Sequence, residues 1–304
     1  MSADRFLMLN RRQMLAGGMT LLAATHGFVA EGFAADAAPS RVVCLDYGLA
    51  STLLAFGVKP LAVAALADWD KWVEEPRMPP GVIDLGSSWE VNFELLIALK
   101  PDLILSTAYN DPLNPRLAEV APLYRANVYV PGANNILDAS YGATRDLGKA
   151  MRMEAKAEAF LAEADRFFDA CRDRLARHNV PPLALVNFMD PRHVRVYTAP
   201  GLYHDVLQRL GLANAWKKPG DYWGFELIGI ESLASVADPR ARLIAFEPVP
   251  SDVMPALATS PLWQALPMAK PDRFTVLPST LMFGMVVEAM RFARLLTDYL
   301  DAHP

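Results

Sequence analysis

Phe93-Glu94-Leu95-Leu96-Ile97-Ala98-Leu99-Lys100-Pro101-Asp102, running straight into Leu103-Ile104-Leu105-Ser106, reads as helix, stop, strand. The apolar residues fall at helical spacing, the proline cannot continue the helix, and a short buried-strand run follows. The phrase returns in the second half, where Ile230-Glu231-Ser232-Leu233-Ala234-Ser235-Val236-Ala237-Asp238-Pro239 precedes Leu243-Ile244-Ala245-Phe246. A second pair supports the first: Leu53-Leu54-Ala55-Phe56 stops at Gly57, and Val206-Leu207-Gln208-Arg209-Leu210 stops at Gly211, glycine being a common C-terminal stop. Two similar αβ units imply two lobes, and two lobes make a cleft in which function should be sought.

Outward from the first phrase, residues 41 to about 138 alternate short strands and helices. Strands are expected at Val42–Leu45, Leu61–Ala64, Leu103–Ser106 and Val128–Val130, and helices at Leu49–Phe56, Trp89–Leu99 and Arg116–Ala121. This alternation predicts an α/β fold with parallel or mixed sheets covered by helices. From Met153 the apolar residues Ala157, Phe160, Leu161, Ala164, Phe167, Phe168, Cys171 and Leu175 keep a 3.6-residue period against a charged face. The spacing predicts one long helix over 153–178 joining an N-terminal lobe (38–152) to a C-terminal lobe (179–304). That second lobe opens on the strand Leu183–Asn187 and closes on a helix from Val286 to Leu300. A single stiff connection would hold the ligand groove between the lobes nearly rigid.

The first 37 residues read as an address. Arg11-Arg12 precedes the apolar run Met14–Thr25, and small residues at Phe28-Val29-Ala30 or Ala35-Asp36-Ala37 offer cleavage sites, the shape of a twin-arginine secretory signal. Its loss removes Arg5, Arg11 and Arg12 with Asp4, Glu31 and Asp36, so the formal charge stays at −5. That mild acidity argues against nucleic acid. No cysteine follows the apolar run and no later stretch is apolar enough to span a membrane, so a soluble periplasmic monomer without a stable membrane anchor is expected. Cys44 and Cys171 sit in a strand and a helix; two buried thiols are the expected state, although the compartment would allow a disulfide.

Enzyme motifs are absent: there is no G-x-S-x-G, no G-x-G-x-x-G, no phosphate loop and no H-E-x-x-H. The histidines (26, 178, 193, 204 and 303) share no metal-ligand spacing between the lobes, so neither a metal site nor a cofactor is expected. Asp190-Pro191-Arg192-His193 reads as a strand-end turn. What the chain offers instead is aromatic residues at strand ends and loops: Tyr47, Trp69, Trp72, Tyr109, Tyr222 and Trp223. In open α/β sheets ligands bind outside the carboxyl ends of strands, so rings there from both halves point to a stacking pocket.

Several segments resemble periplasmic ferric-hydroxamate siderophore-binding proteins. They are Leu53-Leu54-Ala55-Phe56-Gly57-Val58-Lys59-Pro60, Trp72-Val73-Glu74-Glu75-Pro76, Val82-Ile83-Asp84-Leu85-Gly86, Asp190-Pro191-Arg192-His193, Asn214-Ala215-Trp216, Tyr222-Trp223-Gly224 and Pro261-Leu262-Trp263-Gln264-Ala265. The N-x-E-x-x-x-x-L-K-P-D phrase marks the wider class of siderophore, haem and cobalamin binders. The resemblance implies two αβ lobes about a long helix, a ferric siderophore in a shallow aromatic groove, and docking on an inner-membrane ABC permease. By the same resemblance Trp72, Phe188 and Trp223 are groove walls. The arginine that holds the chelate oxygens in that family aligns at Ser88, beside Trp89, and its pocket tyrosine aligns at Asn110, beside Tyr109. Its last-loop tryptophan and tyrosine become Leu281 and Phe283. Losing a charge-assisted donor costs about 1.5–3 kcal/mol unless another group replaces it. Docking carboxylates are expected at Glu231 and, in the first lobe, at Asp111, with Glu119 the less favoured choice. Haem or a corrinoid is the alternative cargo, suited by Tyr47, Tyr109 and the apolar Leu281-Met282-Phe283 loop. A siderophore-processing enzyme is the weakest reading.

Overall fold

Asp46 ends the first strand and starts the first helix: its side chain accepts a hydrogen bond from the Leu49 amide at 3.0 Å, satisfying one of the donors that a helix start leaves open. The structure, a computed structural model, describes residues 37–303, and the residues from Ala38 onward form one compact unit. The expected export signal falls almost wholly outside the described residues.

In chain order the first half contains β1 (Val42–Cys44), α1 (Tyr47–Ala55), β2 (Ala62–Val63), α2 (Trp69–Trp72), β3 (Ile83–Asp84), α3 (Phe93–Leu99), β4 (Leu103–Thr107), α4 (Asn114–Ala118) and β5 (Leu123–Ala126). Two helices follow, α5 (Ile136–Ala150) and α6 (Glu154–Leu175). The second half contains β6 (Leu183–Phe188), β7 (His193–Tyr197), α7 (Leu202–Arg209), β8 (Phe225–Gly229), β9 (Arg242–Phe246), α8 (Val253–Ala258), α9 (Pro261–Ala265), β10 (Phe274–Leu277) and α10 (Val286–Ala302).

The first sheet is wholly parallel in the order β3-β2-β1-β4-β5; the second is mixed, in the order β10-β9-β6-β7-β8. The repeat seen in sequence explains their kinship. β1-β4-β5 and β6-β9-β10 are equivalent parallel runs, with Val43 level with Ile104 and Leu185 level with Ile244. The halves diverge on the other side, where the second sheet carries the antiparallel strands β7 and β8. In the first sheet the strand order reverses beside β1, between β1 and β4, the place where open parallel sheets form a crevice at the carboxyl ends.

Several local expectations are corrected. Val128–Val130 is not a strand; the edge strand is Leu123–Ala126, paired with Ile104–Thr107. Its signal is masked because an edge strand tolerates the charged Arg125, while Tyr129 turns away so that its hydroxyl lies 2.9 and 3.0 Å from the Met282 and Gly284 carbonyls. The helix expected from Trp89 begins at Phe93, where Asn92 caps the Leu95 amide at 3.0 Å. The helix expected at Arg116–Ala121 covers Asn114–Ala118. The second copy of the repeat, Ile230–Ser235, is a 3₁₀ turn, the form short helical segments adopt when extended backbone follows at once. The long helix occupies Glu154–Leu175 within the expected 153–178, about 33 Å at 1.5 Å per residue. It packs against α5, which the spacing did not reveal; three residues separate the two, so they run antiparallel.

Alternation along β1 sends Val42 and Cys44 inward and Val43 and Leu45 outward. The inward set belongs to a core that runs without a break through Leu147, Leu161 and Phe168 of α5 and α6 to Tyr203, Phe246 and Phe292 of the second half. Separate cores cover the outer faces of the two sheets. Helices sandwiched between two sheets thus weld the lobes together, and close-packed interiors resist the sliding that wide lobe closure would need. Asp205 of α7 adds to the weld by accepting from the Ile136 and Leu137 amides at the start of α5. Cys44 and Cys171 are free and buried.

Candidate functional site

The carboxyl ends of β3 and β4 each lead into a loop carrying a ring. Trp89 lies between β3 and α3, and Tyr109 lies in the 3₁₀ turn Ala108–Asn110. Their centroids are 4.1 Å apart at an interplanar angle of 57°. Asn110 fixes the pair by donating from Nδ2 to the Ser88 carbonyl at 3.1 Å, while its buried Oδ1 has no partner. Asn110 is therefore a buried brace, Ser88 supplies its backbone carbonyl, and Trp89 is left 68% exposed.

From the second half, Trp223 sits in the loop before β8. Asp221 holds that loop, its carboxylate accepting from the Trp223 amide at 2.9 Å and its carbonyl from the Gly224 amide at 2.9 Å. Gly224 has φ +82° and its Cα side faces the Gly201 backbone so closely that an added Cβ would lie 2.4 Å from Gly201 Cα; only glycine fits. Trp223 stands 6.3 Å from Tyr109, edge to face, and 6.1 Å from Tyr129, nearly parallel at 17°. Phe283, from the loop between β10 and α10, closes the cluster at 5.5 Å from Trp223 and 5.7 Å from Tyr129, with Phe225 behind it at 6.2 Å. Rings from both lobes therefore meet across the seam, where edge-on and offset contacts are the favoured geometries. Burial pushes the Tyr109 and Tyr129 phenols up from their ordinary value, so both stay protonated, the Tyr129 proton being engaged with the Met282 and Gly284 carbonyls.

The other sequence candidates fall elsewhere. Tyr47 begins α1, donates to the Ala65 carbonyl at 2.5 Å and packs edge-on against Trp69 at 5.4 Å. Trp69 itself is buried. Trp72, 37% exposed at the end of α2, lies under the Lys71 ammonium at 4.7 Å and makes no ring contact with the cluster. Leu281 packs partly buried against the shared core. Phe188, expected as a groove wall, is instead 3% exposed and packed on Trp263 at 5.9 Å and Phe274 at 6.3 Å. The period of two in β6 explains the correction: Ala184, Val186 and Phe188 face outward, and Asn187 takes the seam side. Asp190 forms the expected turn, accepting from the Arg192 and His193 amides. Asp111 grips Arg125 with both carboxylate oxygens, at 2.5 and 2.6 Å, which holds its carboxyl below the usual range. Glu231 is exposed at the start of the 3₁₀ turn and enters no ion pair among the described residues.

The sequence reading missed Tyr129, Phe225 and Arg195. Arg195 lies in β7 with its guanidinium 4.4 Å above the Phe225 ring and 6.0 Å from Phe283. Its signal was available: in His193-Val194-Arg195-Val196-Tyr197 the valines take the outer face, which leaves an arginine on the face that should be apolar.

Two hollows among the described residues lie away from this cluster. One lies on the second lobe between Leu233, Val236, Leu262 and Met268, the other on the first lobe between Phe93, Ile97, Arg116 and Val120. The rings pack against one another in the seam, with Trp89 left exposed at its edge. No group of three or more histidine, cysteine, aspartate or glutamate side chains poised for a metal ion occurs among the described residues. None of their helices is long and apolar enough to cross a membrane.

A family described as periplasmic binding protein matches residues 42–281. The chain is 32% identical over 260 residues to the iron(3+)-hydroxamate-binding protein FhuD of Escherichia coli, covering 86% of each. It is also similar to the crystal structure of the Fe3+-Desferal-bound siderophore-binding protein FhuD from Vibrio cholerae, with a TM-score of 0.81, 26% identity and coverage of 87% of this chain and 99% of that one. The periplasmic catecholate-siderophore-binding protein VctP of Vibrio cholerae shares the fold at a TM-score of 0.65, with 18% identity over 88% of this chain and 95% of that one.

Proposed function

The chain belongs to the periplasmic binding protein family, and from that premise we propose that it captures a ferric siderophore of the hydroxamate type and delivers it to an inner-membrane ABC permease. The observation that carries this reading is the meeting of Trp89 and Tyr109 from one lobe with Trp223 and Phe283 from the other in one aromatic cluster. The FhuD relatives support the hydroxamate class. Iron enters as cargo inside the chelate, so the protein needs apolar faces for the chelator and a few donors for its oxygens, and no metal ligands of its own. Each ring buried against a ligand contributes roughly 1.5–3 kcal/mol. Three or four such faces give about 5–12 kcal/mol before the entropy of association is subtracted, so hydrogen bonds to the chelate oxygens must add to them to reach micromolar affinity, about 8 kcal/mol. On this reading the protein works in the periplasm as a carrier, not an enzyme.

Glu231 is the second-lobe carboxylate proposed to meet the permease. Asp111, already paired with Arg125, is the proposed first-lobe counterpart.

Intrinsic tryptophan fluorescence tests the proposal, because Trp89 and Trp223 belong to the aromatic cluster. Ferrichrome and ferrioxamine B should quench it saturably at micromolar concentration or below. Saturation by haem or a corrinoid in their place would assign the macrocycle cargo, and no response to ferric hydroxamates, catecholates, carboxylates or haem would end the carrier reading.

A further inference from the structure

We propose that Arg195, on the second lobe, supplies the positive charge that holds the iron-bound oxygens of the ligand, taking the place of the first-lobe arginine that this chain lacks at Ser88. The inference rests on the ferric-hydroxamate reading above and adds a specificity-determining residue to it.

The case begins with an electrostatic imbalance. Arginine is almost never buried unless paired. Arg195 is partly buried, its Nε is sealed from solvent with no acceptor, and it enters no ion pair among the described residues. The acceptors it meets are neutral: the Met282 thioether sulfur, 3.5 Å from Nη1 and a weak acceptor, and the Tyr197 hydroxyl. The flanking positions on its face of the sheet are neutral: Asn187 across β6 and Leu227 across β8. Asn187 is already engaged, donating to the Phe246 carbonyl and accepting from the Tyr197 hydroxyl. The nearby Glu226 takes the Trp216 indole N–H at 3.1 Å. The protein has thus built a cation with no counter-charge.

Placement says what that cation is for. The guanidinium is stacked on Phe225 and borders Phe283, whose other neighbours are Trp223 and Tyr129. Among the described residues Arg195 is the one cation lying over a ring of this cluster; the other such contacts involve Trp72, Phe93, Phe168 and Trp216. Stacking on rings leaves the in-plane N–H groups free and pre-orders the fork, and a guanidinium fork suits paired oxygens. The paired oxygens of each hydroxamate around iron are such a target.

Arg195→Leu and Arg195→Lys proteins, titrated with ferrichrome and ferrioxamine B by fluorescence quenching and melted without ligand, test the assignment. Losing a charge-assisted bond should raise the Kd of the leucine variant by about 10- to 150-fold. The increase should be similar for both chelates, which share the hydroxamate oxygens and little else. The lysine variant, with charge but no fork, should stay within about tenfold of the native protein. The ligand-free leucine variant should melt at or above the native temperature, because an uncompensated charge has been removed. Unchanged binding in the leucine variant overturns the assignment, as does a loss confined to one chelate. A melting temperature that falls in parallel with affinity would mark Arg195 as a structural brace and also overturns it. If the native protein binds neither chelate, the functional reading fails and this inference falls with it.

Discussion

Replacing Glu288 by glutamine should remove a pH dependence built into the joint between the lobes. Glu288 lies in the first turn of α10, fully buried, with Oε2 accepting from the Met285 amide at 2.8 Å and Oε1 without a partner. Burial outweighs the hydrogen bonds that favour its charge and raises its carboxyl from 4.5 to about 7. The unfolded chain therefore releases this proton at lower pH than the native one. The native state is favoured in full below about 4.5 and loses that advantage as pH rises to about 7, above which the loss is complete. A gap of that width, at about 1.4 kcal/mol per pH unit, corresponds to about 3 kcal/mol.

Asp46 and Asp205, both raised to about 6 by burial, slope the same way. The native profile alone would therefore not isolate Glu288, but its difference from the Glu288→Gln profile does. Glutamine keeps an oxygen for the Met285 amide and has no charge to desolvate. Urea unfolding from pH 4.5 to 8 should show the two proteins alike at the acid end and the variant more stable by up to about 3 kcal/mol at pH 8. In thermal melts that is about 6–12 °C for a chain of this size. Profiles that run parallel across the range would refute the reasoning, since glutamine would then be acting through packing alone.

Trp223→Ala removes the ring that faces Tyr109, Tyr129 and Phe283; ferrichrome affinity should fall about 10- to 100-fold at about 1.5–3 kcal/mol, read by calorimetry. Gly224→Ala forces a Cβ to within 2.4 Å of the Gly201 backbone at φ +82°; it should cost about 1–3 kcal/mol in urea unfolding and weaken binding by displacing Trp223. Arg291, 5% exposed, pairs with Glu74 and, at 2.8 Å, with Glu75. The double variant Glu74→Ala/Glu75→Ala strands this buried charge and should destabilise the protein by about 1–3 kcal/mol, discounted because both carboxylates are half exposed. An unchanged melting temperature would show that the charge is satisfied by the Ser279 carbonyl alone.

The fold was legible where local pattern and tertiary role agree. Leu103–Thr107 announces itself because an unbroken apolar run there is buried, and Phe93–Leu99 because Phe93, Leu96 and Leu99 fall at helical spacing around the buried Leu96 before a proline stop, although Ile97 is exposed. Leu123–Ala126 and Phe225–Gly229 did not, because both are edge strands, and Arg125 or Glu226 can stand there without breaking the ladder. The helix α5 stayed hidden for another reason: Ser140, Gly142, Thr144 and Gly148 dilute its apolar face, yet small residues there let α6 approach. An added Cβ at Gly148 would lie 2.6 Å from Ala157 Cβ.

The site was legible only in part, because no local period encodes a seam. Trp223 and Tyr109 could be picked out as rings at loop positions, but the same rule admitted Trp69, which is core. Tyr129 escaped it because its chain segment reads as a strand. Phe188 misled because a strand end looks the same whichever sheet face its last residue takes, and face is settled only by register with the neighbour, here Phe188 level with Val194. Arg195 is the instructive case. Its oddity is not the residue but the missing partner, and absence of a counter-charge is a property of the assembled sheet, not of any window of sequence. A charge without a counter-charge costs stability unless something outside the chain completes it. That is why the search for binding chemistry in such a fold should begin from unpaired inward charges and only then ask which rings surround them.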